Sequence, residues 1–399
     1  MAHSDRPLSL YLHIPFCTLK CSYCDFNSYA GLEKLVRPYV DALVQEMELW
    51  RYPTHDYVVH TVFFGGGTPS LLPLIELERV MAALGSTFQL TPDCELSLEA
   101  NPGTVDLDYL EGLLALGINR LSLGVQSFHD DELLALDRIH SAEEARQAYR
   151  WAREAGFQRI NLDLIYGLAQ QPLERWRYSL EEGISLAPEH LSLYALTVEE
   201  GTKLAHDIEH GRVAEPDADV QAEMYEWSLE RMAQAGYEQY EISNWARPGQ
   251  RCRHNLTYWE NRPYLGFGAG AHSYFDGFRF ADVYSPKQYI RRLEGGRQSL
   301  PPSGDPQSFL RALPQITLLE KLTPELEMAD TVILALRLTE GLSLKGFRQR
   351  FRVELAEKYC HQVQELESLG LLERADGHLR LTSRGRLLGN EVFLRFLPA

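Results

Sequence analysis

From Leu8 to about Leu196, apolar runs of strand length alternate with segments of helical period. The strand candidates are Leu8–Ile14, Val58–Phe64, Glu95–Ala100, Arg120–Gln126, Ile160–Tyr166 and Leu191–Leu196, short β-rich runs bounded by Gly, Pro or polar residues. Between them, Pro38–Trp50, Ile75–Leu84, Leu107–Leu116, Ala142–Ala155 and Leu173–Leu186 gather apolar side chains on one helical face. Six βα repeats predict an α/β fold with a parallel sheet and right-handed crossovers, and a run such as Leu121-Ser-Leu-Gly-Val125 suits a strand covered on both faces. The expected architecture is a partial (β/α)6 barrel over residues 1–215, with any chemistry at the C-terminal ends of its strands.

A polar stretch with Gly211 and Pro216 ends the repeat, and a helix from about Asp219 to Ala235 opens a mixed α+β extension assigned to residues 216–323. Pro301-Pro302 through Pro306 reads as a connector. Residues 324–399 read as three helices followed by a hairpin around Gly370 and Gly377, a winged-helix-like pattern. Winged helices bind DNA or serve as packing modules. The net charge of −17 favours packing, because the field of the whole molecule repels phosphate backbones; nucleic acid is not an expected partner. With 399 residues, 45% of them hydrophobic and 24% charged, the chain can bury a large core. The first residues carry no apolar signal segment, and no apolar stretch is long enough to span a bilayer, so a cytoplasmic location is expected. Six cysteines in a chain of this size do not make a disulfide scaffold, and Cys94, Cys252 and Cys360 stand alone as small reduced side chains.

The other three cysteines carry the chemistry. Cys17, Cys21 and Cys24 follow the first strand with the spacing CxxxCxxC. Three thiolates on one short loop can hold three irons of a [4Fe–4S] cluster and leave the fourth iron open. The competing use of these residues is a zinc site with His13 as fourth ligand. After the second strand comes Gly65-Gly66-Gly67-Thr68-Pro69, whose glycines let backbone approach a ligand closely. No Lys-Ser/Thr pair follows, so it is not a P-loop. Glu99, Gln126, Arg138 and Asp163 are polar residues at strand ends or just beyond them.

The cysteine run resembles the radical S-adenosylmethionine (SAM) signature, in which the open iron is chelated by the amino and carboxylate groups of SAM. That resemblance implies a radical-SAM barrel with a [4Fe–4S] cluster and SAM, and it makes Gly66, Gly67 and Thr68 the GGE-like element that contacts the SAM ammonium. In the coproporphyrinogen-oxidase-like branch of these proteins, the matching positions pair the SAM carboxylate with Arg138 and its ribose with Gln126 and Asp163. Glu99 contacts the charged end of the amino acid, Tyr11 and Tyr23 join the set, and adenine lies near Ala195. With Leu121-Ser-Leu-Gly-Val-Gln-Ser-Phe128, Asp163-Leu-Ile-Tyr-Gly167 and Glu241-Ile-Ser-Asn244, the resemblance covers most of the chain and is to the HemW-type haem chaperones. The related oxygen-independent coproporphyrinogen III oxidases carry a further cysteine where this chain has Phe26, and a longer N-terminal arm.

His254-Asn255-Leu-Thr-Tyr258-Trp259 matches the HNxxYW motif associated with haem in those chaperones. The match implies His254 as a haem-iron ligand, Tyr258 and Trp259 as porphyrin walls, and Arg247, Arg251 and Arg253 as propionate partners, with Cys252 a rival ligand. The opposed reading has His254 and Asn255 capping a helix while Tyr258 and Trp259 fill core. The implied function is binding of haem and its transfer to an acceptor protein. Radical decarboxylation of coproporphyrinogen III is the competing enzyme reading, and a metal-dependent winged-helix regulator is the third. A homodimer and peripheral contact with a membrane-bound acceptor are both compatible with the chain. One departure from the family pattern is Ala169-Gln170-Gln171, where Pro-Gly-Gln is usual, and it bears on the local turn.

Overall fold

The computed structural model describes residues 6–294 and 305–398. Two compact units emerge from contacts along the chain: one runs to Ser228 and resumes over Pro263–Glu320, the other joins Leu229–Arg262 to Lys321–Ala399.

The first unit is built on parallel strands at Arg6–Ile14, Tyr57–Gly66, Gln89–Ala100, Arg120–Gln126, Ile160–Tyr166 and His190–Ala195, hydrogen-bonded in that order. They coincide with the six runs expected from periodicity, and helices such as Val36–Leu49, Ala142–Ala155 and Leu173–Ser185 cross between them. This is the open, partial barrel expected from the βα repeat. Helix Ala142–Ala155 shows why such segments stop and start where they do. Ser141 and Glu144 form a reciprocal capping box, and Gly156 ends the helix at φ 110°, a left-handed conformation that glycine adopts without a Cβ clash.

On the far side of Arg6–Ile14 the sheet continues through Tyr264–Phe267, His272–Phe275, Phe278–Asp282 and Ile316–Lys321. Tyr264–Phe267 pairs parallel with the first strand, Ser9 opposite Tyr264 and Leu12 opposite Phe267. Its neighbour His272–Phe275 is antiparallel, so the parallel barrel changes here into an antiparallel meander. Of the proline connector, Pro301 and Pro302 lie outside the described residues, while Pro306 opens the helix Pro306–Ala312, capped by the Asp305 carboxylate.

The second unit contains the short hairpin Glu238–Glu241 and Asn244–Ala246, the helix Arg253–Trp259, and the C-terminal elements. Helices Pro324–Ala335, Leu344–Phe351 and Cys360–Ser368 precede the antiparallel wing Leu372–Ala375 and His378–Leu381. A two-residue strand at Leu342–Ser343 pairs with the wing and completes a three-stranded sheet. Their common core includes Val332, Leu336, Phe347, Val363, Leu379 and Phe396. No helix among the described residues is long and apolar enough to cross a membrane.

Candidate functional site

The cysteine loop leaves the C-terminal end of the first strand and is tied shut at its base. Phe16–Cys17 pairs with Tyr29–Ala30, and the Cys24 amide donates to the Cys21 carbonyl at 3.2 Å. Asn27 anchors the loop from below: its Nδ2 donates to the carbonyls of Ala269 at 2.8 Å and Tyr284 at 2.9 Å. His13 holds the other side. Its Nε2 donates to the Asn27 carbonyl at 2.8 Å, which leaves Nδ1 to accept from the Tyr11 hydroxyl at 3.0 Å. Burial pushes the His13 pKa down, as a neutral ring with both nitrogens engaged requires. His13 is therefore a strut of the loop, and the zinc alternative loses its fourth ligand.

The glycine run fits beside this loop for steric reasons. The amides of Gly67 and Thr68 donate to the carbonyls of Ile14 and Phe16, each at 2.8 Å. A Cβ on Gly66, whose φ is 114°, would lie 2.5 Å from the His13 ring, and one on Gly67 would lie 2.6 Å from the Phe16 carbonyl oxygen. No other residue lets the strand end approach the cysteines this closely. Thr68 Oγ1 lies 3.6 Å from Cys17 Sγ and Ser28 Oγ lies 3.8 Å from Cys24 Sγ. Without metal, burial raises the pKa of the Cys17 and Cys24 thiols against these hydrogen bonds; metal ligation requires their thiolates.

Parallel register lines up the remaining groups. Glu99 lies opposite Ser122, and Gly124, Asp163 and Ser192 form one row across three strands. Between Gly124 and Gln126 the register slips, and Gln126 takes φ 70°, so a bulge turns the end of this strand. Together with the cysteine loop these residues line a cleft of about 490 Å³ that includes Gly66, Gly67, Thr68, Glu99, Gln126, Arg138, Asp163 and Tyr23. Ile165, Tyr194, Ala195 and Leu196 give it an apolar side at the end of the sixth strand. Tyr11 is the exception: it stands behind the cleft lining, hydrogen-bonded to His13 and close to Glu99.

Several buried polar atoms here are oriented without being satisfied. Arg138 reaches the Gly124 carbonyl at 2.6 Å and Cys21 Sγ at 3.4 Å, yet its Nε has no hydrogen-bond partner. Gln126 Oε1 is likewise buried and unpartnered. Such atoms mark a place where a polar ligand belongs. Asp163 is held by Ser122 at 2.9 Å and Asn161 at 2.8 Å; burial raises its pKa although these bonds oppose the rise. Glu99 accepts from the Gly66 amide at 3.1 Å, and burial, reinforced by the charge of Asp163, pushes its pKa up to about 8. A cationic group entering between them relieves both penalties.

Sequence reasoning missed Asn27, Ser122 and Asn161, which position the loop and Asp163. Ser122 and Asn161 were signalled by alternation: Leu121-Ser-Leu and Ile160-Asn-Leu-Asp163 place polar residues on one face of otherwise apolar strands. The departure at Ala169-Gln170-Gln171 forms its turn nonetheless. Gln170 takes φ 57°, and Gln171 Oε1 accepts from the amides of Gly167 and Leu168 at 2.8 and 3.2 Å.

The HNxxYW segment lies in the second unit, as the helix Arg253–Trp259. His254 is buried, its Nε2 is 2.9 Å from the Tyr258 hydroxyl, and burial lowers its pKa to about 3. Cys252, also buried, is the residue before the helix. Arg251 forms an ion pair with Glu340 at 2.8 Å, and Arg247 stacks over Tyr237 at 4.8 Å. Trp259 lies beneath the Arg337 guanidinium at 4.6 Å.

An open parallel barrel with three cysteines on the loop after its first strand, and a polar cleft along the next strand ends, defines a radical SAM protein. Residues 11–182 match the radical SAM superfamily and residues 322–388 the HemN C-terminal domain. The haem chaperone HemW of Bacillus subtilis is 38% identical over 390 residues, covering 98% of this chain and 99% of that protein. HemW of Mycobacterium tuberculosis is 38% identical over 390 residues, covering 97% and 94%. Coproporphyrinogen III oxidase (HemN) of Escherichia coli, a radical SAM enzyme, superposes with a TM-score of 0.82 at 26% identity, covering 98% of this chain and 90% of that one. This chain belongs to the HemW family of radical SAM proteins. The cofactors of the superfamily, a [4Fe–4S] cluster and SAM, fit the cleft: thiols for three irons, a glycine cradle, and the unpartnered Arg138 Nε and Gln126 Oε1 for a polar ligand.

Proposed function

We propose that this chain is a haem chaperone, which binds haem and passes it to an acceptor protein, and that the barrel carries a SAM-ligated [4Fe–4S] cluster alongside that role. The observation that carries the reading is likeness to HemW over 98% of this chain, and the HNxxYW motif of the sequence adds to it. Phe26 adds to it: the oxidases of the branch have a cysteine there, and here an apolar side chain 62% exposed stands at the rim of the cleft.

Cys17, Cys21 and Cys24 would hold the cluster in this reading, and the chemistry it would supply when bound is an open iron site for SAM and a source of electrons. Arg138 pairs the SAM carboxylate, Gln126 and Asp163 take the ribose hydroxyls, and Glu99 with Gly66, Gly67 and Thr68 receives the amino end. Tyr23 closes the wall beside the cysteines, Tyr11 supports His13 and Glu99 from behind, and the apolar side near Ala195 receives the adenine. Haem binds through His254, or Cys252 in its place. For His254 to ligate iron, Nε2 must exchange its Tyr258 hydrogen bond for the metal, so haem entry includes rotation of one of these two side chains.

Anaerobic reconstitution followed by parallel haem titration and coproporphyrinogen III turnover tests the assignment. Stoichiometric haem binding without turnover, and transfer of haem to an acceptor apoprotein, is the expected result. Turnover of coproporphyrinogen III without haem binding assigns the chain to the oxidases.

A further inference from the structure

Outside the cleft and the HNxxYW segment, three metal-ligating side chains converge on the helix Lys203–Glu209 and the residue that follows it. His206, Glu209 and His210 are exposed, and each brings a ligand atom within 4.8 Å of the other two. They stand at i, i+3 and i+4, the spacing that one helical face brings together. The two imidazole centroids are 4.1 Å apart. His210 Nδ1 lies 2.8 Å from the His206 carbonyl oxygen. A carbonyl only accepts, so Nδ1 carries the proton and Nε2 keeps the lone pair. A backbone hydrogen bond on one ring nitrogen is how metal-ligating histidines are usually oriented.

We propose that His206, Glu209 and His210 form a binding site for a borderline divalent cation of the Zn²⁺ class, independent of the iron–sulfur cluster and of haem. Two imidazoles and one carboxylate match such a cation, whereas Mg²⁺ and Ca²⁺ favour sites made of oxygen alone. Both imidazoles stand on one face of one helix and cannot ligate opposite faces of one porphyrin, so the three ligands acting together suit a single small cation. With three protein ligands the site leaves a coordination position for water or for a group from another molecule.

The backbone under the site is anchored. Thr202 caps the helix, Lys203 pairs with Asp137 at 2.8 Å, and the Leu204 amide donates to the Ser22 carbonyl at 2.8 Å. Leu204 and Ile208 pack in one apolar cluster with Tyr23. The exposed face thus presents the ligands while the opposite face rests on the cysteine loop, and a bound cation stiffens the helix that supports Tyr23.

The test uses cluster-loaded protein, in which the three cysteines are already occupied. It is titrated anaerobically with Zn²⁺, gel-filtered, and analysed for zinc and iron, as wild type, His206→Ala, His210→Ala, the double variant and Glu209→Gln. One zinc per chain in the wild type, lost in the double variant with iron unchanged, is the expected result. Glu209→Gln should weaken Zn²⁺ by at least the roughly tenfold that follows loss of a ligand's hydrogen-bonding partner. If the double variant also loses iron, the single variants decide, since exposed helical positions tolerate Ala. A wild type that retains no zinc, or variants that retain it with unchanged stoichiometry and affinity, overturns the proposal.

Discussion

Glu99→Gln should make the cluster-free protein more stable at neutral pH and flatten the dependence of that stability on pH. Burial, reinforced by Asp163, lifts the Glu99 pKa from the ordinary 4.5 to about 8. Below 4.5 the carboxyl is protonated in both folded and unfolded chains, and its contribution to stability is fully present. As pH rises from there, the unfolded chain releases the proton while the folded chain keeps it. Stability is then lost at about 1.4 kcal/mol per pH unit until the folded pKa is passed, on the order of 5 kcal/mol in all. Gln is neutral throughout and can still accept from the Gly66 amide, so the variant escapes this loss; at pH 7 its advantage should be about 3 kcal/mol. The assay is urea unfolding of both proteins, cluster-free and reduced, at pH 5 and pH 8, comparing midpoints because a chain of two units need not unfold in one step. Asp163 adds its own pH dependence to both proteins, and because its charge couples to Glu99 the difference between them reports Glu99 together with that coupling. Midpoints of wild type and variant that move in parallel between pH 5 and pH 8 would refute the reasoning.

In cluster-loaded protein, Arg138→Ala should weaken SAM binding about ten- to hundredfold, the loss of a charged hydrogen bond, while iron content stays intact; the SAM-induced change in the EPR spectrum of the reduced cluster reports it, and an undiminished response counts against the carboxylate assignment. Gly66→Ala should cut cluster yield on reconstitution, because its positive φ and the His13 ring at 2.5 Å both oppose a Cβ. Gly31→Ala is the control: it shares a positive φ, 75°, with open space around the new methyl, and it should cost less. Tyr258→Phe should tighten haem binding by freeing His254 Nε2, and His254→Ala should weaken it or shift the Soret band. If neither change alters haem affinity or spectrum, even with Cys252 replaced, the haem site is elsewhere.

The six barrel strands and their helices were legible because burial on both faces writes long apolar runs, and because helical period and strand length differ enough to separate them. The cysteine spacing was legible for a different reason: three ligands on one loop need no tertiary fold to be neighbours. Of the four polar residues expected at strand ends or just beyond, Glu99 and Gln126 do lie at strand ends, whereas Asp163 lies in the middle of Ile160–Tyr166 and Arg138 follows the helix Asp130–Ala135. The convergence of the three on strands depends on parallel register, which no local pattern encodes. The bulge that gives Gln126 its φ of 70° belongs to the same category.

Pairings between distant segments were the part that local reading could not reach. Tyr264–Phe267 joins the edge of the first strand across some two hundred and fifty residues of chain, and Leu229–Arg262 groups with the C-terminal residues although it is contiguous with the barrel. Both depend on which surfaces meet after the local elements have formed. The fate of His13 shows the limit at one residue. Four positions before Cys17 it reads as a metal ligand, and only the arrival of the Tyr11 hydroxyl and the Asn27 carbonyl at its two nitrogens makes it a strut. Residue type and spacing decide which chemistry a chain can perform; which lone pairs remain available for it depends on partners supplied by the folded structure.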